Sequence, residues 1–165
     1  MIRFYHGYQS SNQTNKFTEI ECENKSAVTV DYEALSYAEV EALYSAQIEN
    51  EKPEILVGHS LGGYWALKMS AKYEIPAVVL NPALYPEISL PHLNYETITQ
   101  AELENRVPKY AYVELGDEVI DVPRTVTALK PVAYMMLNVN GHHRIERMDL
   151  VNELITYAMN TYMVS

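Results

Sequence analysis

An apolar run that stops at a glycine and turns directly into a helical pattern governs what this chain can fold into. Residues 54–63 read Glu-Ile-Leu-Val-Gly-His-Ser-Leu-Gly-Gly, which sets Gly-x-Ser-x-Gly between a short strand and a helix running to Tyr73. So tight a strand-to-helix turn leaves no room for side chains beside the serine, and Gly58 and Gly62 meet that demand. The turn projects the Ser60 hydroxyl beyond the carboxyl edge of the sheet and aims the positive end of the helix at it. The backbone N–H of Leu61 then faces an oxygen that becomes negative during acyl transfer. Gly-x-Ser-x-Gly alone is short enough to arise by chance, and the flanking strand and helix give it weight. His59, adjacent to Ser60, is poorly placed to reach round to its hydroxyl.

Around this turn, short apolar runs alternate with segments of helical period. Strands are predicted at 2–5, 27–32, 54–57, 76–80, 109–115 and 132–139. Apolar residues recur every three or four positions between Tyr37 and Ile48, predicting an amphipathic helix that Lys52-Pro53 ends. Further helical stretches are predicted at 122–130 and 147–162, the latter with Leu150, Leu154, Ile155, Ala158 and Tyr162 on one face. Strands alternating with helices imply an α/β domain: a mostly parallel sheet of about six strands with helices on both faces. Residues 1–165 are expected to form one such domain. Its segment at 81–108 carries Pro86, Pro91 and Pro108 and is expected to make an irregular, cap-like excursion, helical within 97–105.

The formal charge is −10, and the twelve Lys and Arg residues form no cluster. Nucleic acid and anionic membranes both require such clusters, so neither is an expected partner. Cys22 is the only cysteine, which fits a reducing compartment. With neither a signal peptide nor an apolar run of membrane-spanning length, the expected location is cytoplasmic.

A serine hydroxyl needs a base to take its proton and a third group to orient that base. In sheets of this kind the chain order is Ser, then Asp or Glu, then His. Asp117, in Leu-Gly-Asp-Glu-Val at 115–119, closes a strand at the carboxyl edge, where ligand chemistry occurs. Asp121 is the rival and suits the N-cap of the 122–130 helix. After the last strand, Asn-Gly-His-His at 140–143 offers His142 and His143 as the base. Two adjacent histidines point their side chains apart, so no metal is expected there. The Tyr8 amide, in His6-Gly7-Tyr8 after the first strand, suits a second oxyanion donor, while His6 suits packing or hydrogen bonding in the loop.

Taken together these motifs resemble the YqiA-type small bacterial esterases of the α/β-hydrolase superfamily. The resemblance rests on His6-Gly7-Tyr8, Ser10-Ser11, Lys16, Ser60–Tyr64, Pro76–Val79, Asn81–Ala83, Gly116–Val119 and Gly141–His143. It implies a reduced three-layer α/β-hydrolase fold, hydrolysis of carboxylic esters or thioesters with short acyl chains, and no cofactor. It also implies Asp117 as the acid and His143 as the base. His59 stands where those relatives carry Ser, and His142 where they carry Asn. The expected partner is a small-molecule ester or thioester, with Tyr85 and Tyr95 as candidate substrate contacts among the 14 tyrosines. A catalytically degenerate binding module, or an acyltransferase on the same scaffold, are the competing expectations.

Overall fold

A computed structural model describes residues 1–164, and the side chains of residues 1–161. Six strands build one sheet: β1 (Ile2–Tyr5), β2 (Lys25–Ser26), β3 (Ile55–His59), β4 (Ala77–Leu80), β5 (Lys109–Glu114) and β6 (Tyr134–Asn138). Their spatial order is β2-β1-β3-β4-β5-β6, and every pairing is parallel. The central strands read as unbroken apolar runs because both of their faces are covered. Leu56, Val79 and Ala111 face one layer of core, whereas Ile55, Val57, Val78, Leu80 and Tyr112 face the other.

The first layer is supplied by α2 (Tyr37–Glu51) and α3 (Leu61–Tyr73), which contribute Val40, Tyr44, Ile48, Tyr64, Trp65 and Leu67. The second comes mainly from α7 (Met148–Val164), whose Val151, Leu154, Ile155 and Ala158 lie against the sheet. Phe17, on α1 (Asn15–Thr18), packs against the same layer. This is the three-layer, open-sheet architecture of the α/β hydrolases. Ser36 starts α2 with a capping box, its hydroxyl accepting from the Glu39 amide while the Glu39 carboxylate accepts from the Ser36 amide. Such a cap contributes about 1 kcal/mol. Lys52, left-handed at φ 50°, ends the helix just before Pro53.

The strand expected at 27–32 does not form. The ladder beside β1 stops at Ser26, and the chain beyond it is held by side chains instead. The Val30 amide donates to Nε2 of His6 at 2.8 Å, and the Tyr32 hydroxyl donates to the His6 carbonyl at 2.8 Å. Val30 and Tyr32 are buried, so their β-branched and aromatic character serves packing rather than pairing.

Between β4 and β5, the segment 81–108 carries α4 (Pro86–Ser89), a 3₁₀ turn (Pro91–Leu93) and α5 (Gln100–Glu104). Helix α6 (Val122–Leu129) follows β5, and its Leu129 joins the α2–α3 side of the core. The Tyr162 side chain, expected on the apolar face of α7, lies outside the described residues. Among the described residues, no helix is long and apolar enough to cross a membrane.

Candidate active site

Ser60 occupies the turn between β3 and α3 with φ 55° and ψ −120°. For a residue with a Cβ this conformation costs roughly 1–3 kcal/mol, which the surrounding contacts must supply. They do so through the backbone: the Ser60 amide donates to the Leu80 carbonyl at 3.0 Å, and its own carbonyl accepts from the amides of Gly63 and Ala83, both at 2.9 Å. A Cβ on Gly58 would fall 2.0 Å from the Gly62 carbonyl oxygen, and one on Gly62 would fall 1.9 Å from the Tyr5 carbonyl oxygen. The elbow therefore closes only with glycine at both positions.

Asp117 follows β5 and His143 follows β6, and the parallel pairing of those strands brings the two loops together at one sheet edge. Nδ1 of His143 and Oδ2 of Asp117 are 2.5 Å apart. The same Oδ2 accepts from the Asn81 side-chain amide at 2.7 Å, and Oδ1 accepts from the amides of Val119 and Ile120 at 2.7 and 3.0 Å. Burial pushes the Asp117 carboxyl upward, but the bond to His143 and the two amides outweigh it and hold it below its ordinary value. The carboxylate is thus ionised and fixed in direction.

The rival residues go elsewhere. Asp121 caps α6 by accepting from the Arg124 amide at 3.2 Å, and His142 turns outward, 3.5 Å from the Glu118 carboxylate. The two adjacent histidines diverge as their chain geometry requires.

Two glycines let the loops that carry Asp117 and His143 approach. A Cβ on Gly116 would lie 2.3 Å from the Gly141 carbonyl oxygen, and one on Gly141 would lie 1.7 Å from the Glu114 carboxylate. Buried Glu114 in turn accepts from the Tyr112 hydroxyl at 2.5 Å and from the Asn138 side chain at 2.8 Å. Beneath the loop that carries His143, Nε2–H of His59 donates to the His143 backbone carbonyl at 2.9 Å, and the two rings lie 5.0 Å apart. Burial, together with the nearby Lys16 ammonium, pushes His59 down to about 3, so it stays neutral. His6 is also buried and lowered, with burial outweighing the opposing pull of the Gly7 carbonyl, 2.7 Å from Nδ1.

Ser60 and His143 line one cavity of about 510 Å³, together with Tyr8, Ile88, Leu90 and Ile120 among others. Its walls are largely apolar. Gly7 packs so closely that an added Cβ would sit 3.3 Å from the Ser60 Cβ, which keeps the Tyr8 backbone beside the serine. The Tyr8 amide has no acceptor among the described residues, and the first amide of a helix, here Leu61, has none within its own helix. Tyr85 lines the cavity. Tyr95 does not: it is buried against Tyr37, Tyr64 and Trp65, with ring centroids 5.3–5.6 Å apart. It is a core residue, because its stretch of the 81–108 segment folds back onto α3.

Three residues beyond the sequence expectations shape this site: Asn81, Glu114 and His59. Asn81 is fully buried with φ 41° and ties β4 to β5, its side-chain oxygen accepting from the Glu114 amide at 2.8 Å while its NH₂ serves Asp117. Its signal was the Asn-Pro-Ala run directly after β4.

Est1E from Butyrivibrio proteoclasticus superposes with a TM-score of 0.81 at 15% identity, over 99% of this chain and 88% of that one. The naproxen esterase (carboxylesterase NP) of Bacillus subtilis gives a TM-score of 0.74 at 14% identity, over 94% of this chain and 82% of that one. At these identities the likeness is one of fold. In sequence, the UPF0227 protein YcfP of Salmonella gallinarum is 23% identical over 90% of this chain and 93% of its own length. A UPF0227 protein of Shewanella is 24% identical over 79% of this chain and 83% of its own. The profile of the uncharacterised protein family UPF0227 matches residues 1–95, more than half of the sequence. The chain belongs to the UPF0227 family, built on the α/β-hydrolase fold.

Proposed function

We propose that this protein is a serine esterase in which Ser60 is the nucleophile, His143 the general base and Asp117 the orienting acid. The observation that carries the reading is the 2.5 Å His143–Asp117 pair opening, with the strained Ser60, onto one cavity. With Nδ1–H committed to Asp117, Nε2 of His143 is the nitrogen left to accept a proton. Ser60 Oγ attacks the ester carbonyl carbon as His143 takes the hydroxyl proton, and the carbonyl π electrons move onto oxygen. The amides of Leu61 and Tyr8 hold that oxyanion. Collapse breaks the bond to the leaving oxygen or sulfur, which takes the proton from His143 and departs as alcohol or thiol. Water then repeats the sequence on the acyl-enzyme, yielding the carboxylic acid and free Ser60.

The apolar cavity suits short acyl chains, and the carboxylesterases among the structural neighbours support the same class. In the decisive experiment, hydrolysis of para-nitrophenyl butyrate by Ser60→Ala falls by on the order of 10⁴-fold or more while the fold persists. Turnover like that of the native chain would remove Ser60 from the mechanism.

A further inference from the structure

Fifteen side chains line the cavity beside Ser60, and Arg124 is the one Lys or Arg among them. It stands in the first turn of α6, the end at which a helix dipole disfavours a positive charge, so helix stability does not account for it. Its guanidinium carbon lies 3.8 Å from the centroid of the Tyr85 ring, and Tyr85 lines the same cavity from the 81–108 segment. Stacking holds the guanidinium by its face and leaves its N–H edge available. No carboxylate pairs with Arg124 among the described residues. The nearest acid in sequence on the cavity wall, Asp121, directs Oδ1 at the Arg124 backbone amide. In a chain of net charge −10, an unpaired cation fixed on a catalytic cavity wall calls for an explanation.

The same two residues also line a shallow depression on the outside of α6, so the stack stands at the cavity rim. A group meeting Arg124 would lie at the end of a substrate remote from Ser60, next to water. We propose that Arg124, held by Tyr85, is the counter-charge for a carboxylate on the substrate, so that this site takes esters bearing one negative group distant from the scissile bond. The proposal rests on the esterase reading and specifies its substrate class. One guanidinium matches a single negative charge, and the Asp121 carboxylate on the same wall repels the second charge of a phosphate monoester. A bidentate guanidinium–carboxylate pair supplies both the charge and the geometry.

The test compares each charged ester with a neutral partner of matched shape. Para-nitrophenyl hemiadipate against para-nitrophenyl hexanoate puts the carboxylate on the acyl side. 4-Acetoxybenzoate against 4-acetoxybenzamide puts it on the leaving-group side. In one of these pairs the charged-to-neutral ratio of kcat/KM falls by about ten-fold or more in Arg124→Gln, and Arg124→Lys keeps part of it. A ratio identical in the native chain and Arg124→Gln on both sides overturns the proposal.

Binding of the uncleaved analogues 4-acetamidobenzoate and 4-acetamidobenzamide, followed by NMR titration, needs no turnover. A preference for the anion that disappears in Arg124→Gln supports the assignment even if no ester is cleaved, an outcome that would instead sink the Ser60 reading. Turnover of neutral esters with no preference for the anion in either assay sinks Arg124 alone.

Discussion

His59 donates a hydrogen bond from Nε2 to the backbone carbonyl of His143 at 2.9 Å, from the residue that directly precedes the elbow serine. One end of β3 therefore holds both Ser60 and the loop that carries His143. His59 is buried, its Nε2–H is committed to that carbonyl and its basicity is low, so on the proposed reading its part is positioning.

Replacing His59 with Ala releases the His143 loop while leaving the cavity walls in place. The expected result is a fall in kcat of about 10²-fold, the usual cost of misplacing a reacting group by an ångström, with KM little changed. His59→Gln, which keeps an N–H donor, recovers part of kcat. Steady-state kinetics on para-nitrophenyl butyrate check this, and equal losses in the Ala and Gln variants would leave His59 a packing residue only.

Gly141→Ala would drive a methyl group into the Glu114 carboxylate, and Glu114 cannot yield without giving up Tyr112 and Asn138. The expected cost is about 1–3 kcal/mol of stability, together with loss of esterase activity as the base loop shifts. Chemical denaturation and kinetics on the same sample read both quantities. An alanine variant as stable and active as the native chain would contradict the packing described.

Acid should destabilise the fold well before its carboxylates protonate. An unfolded histidine takes up a proton near about 6.5, whereas folded His59 resists protonation down to about 3. Between those values the unfolded chain binds the extra proton, so stability falls as pH drops, by up to about 1.4 kcal/mol per pH unit. His6, also lowered, acts in the same direction. Asp117 has the ordinary carboxylate sign: its contribution is complete above the unfolded aspartate value and is lost as pH falls through its lower folded one. Urea midpoints measured from about pH 7 to 4 should decline less steeply in His59→Gln than in the native chain. Parallel declines would show that His59 protonation is not linked to unfolding.

Much of this fold can be read locally, because unbroken apolar runs and helical periods report burial directly. The elbow is legible for a stronger reason, since close backbone approach leaves Gly58 and Gly62 no substitute. The stretch 27–32 misleads because β-branched and aromatic residues suit any extended, half-buried backbone, and nothing local reveals that His6 replaces a neighbouring strand. Tyr85 and Tyr95 belong to one segment, yet one faces the cavity and the other the core, according to which way the segment folds over α3. Asn81, Glu114 and His59 act on partners 24 to 84 residues away. Such links depend on the order of strands in the sheet, which no short window of sequence contains.

Labelling with a fluorophosphonate followed by mass mapping of the tagged peptide tests the central claim most directly, because it needs no knowledge of the natural ester. A single adduct is expected on Ser60, lost in Ser60→Ala and formed far more slowly in His143→Ala. An adduct on a different serine, or labelling of Ser60 at an unchanged rate without the His143 imidazole, would contradict it.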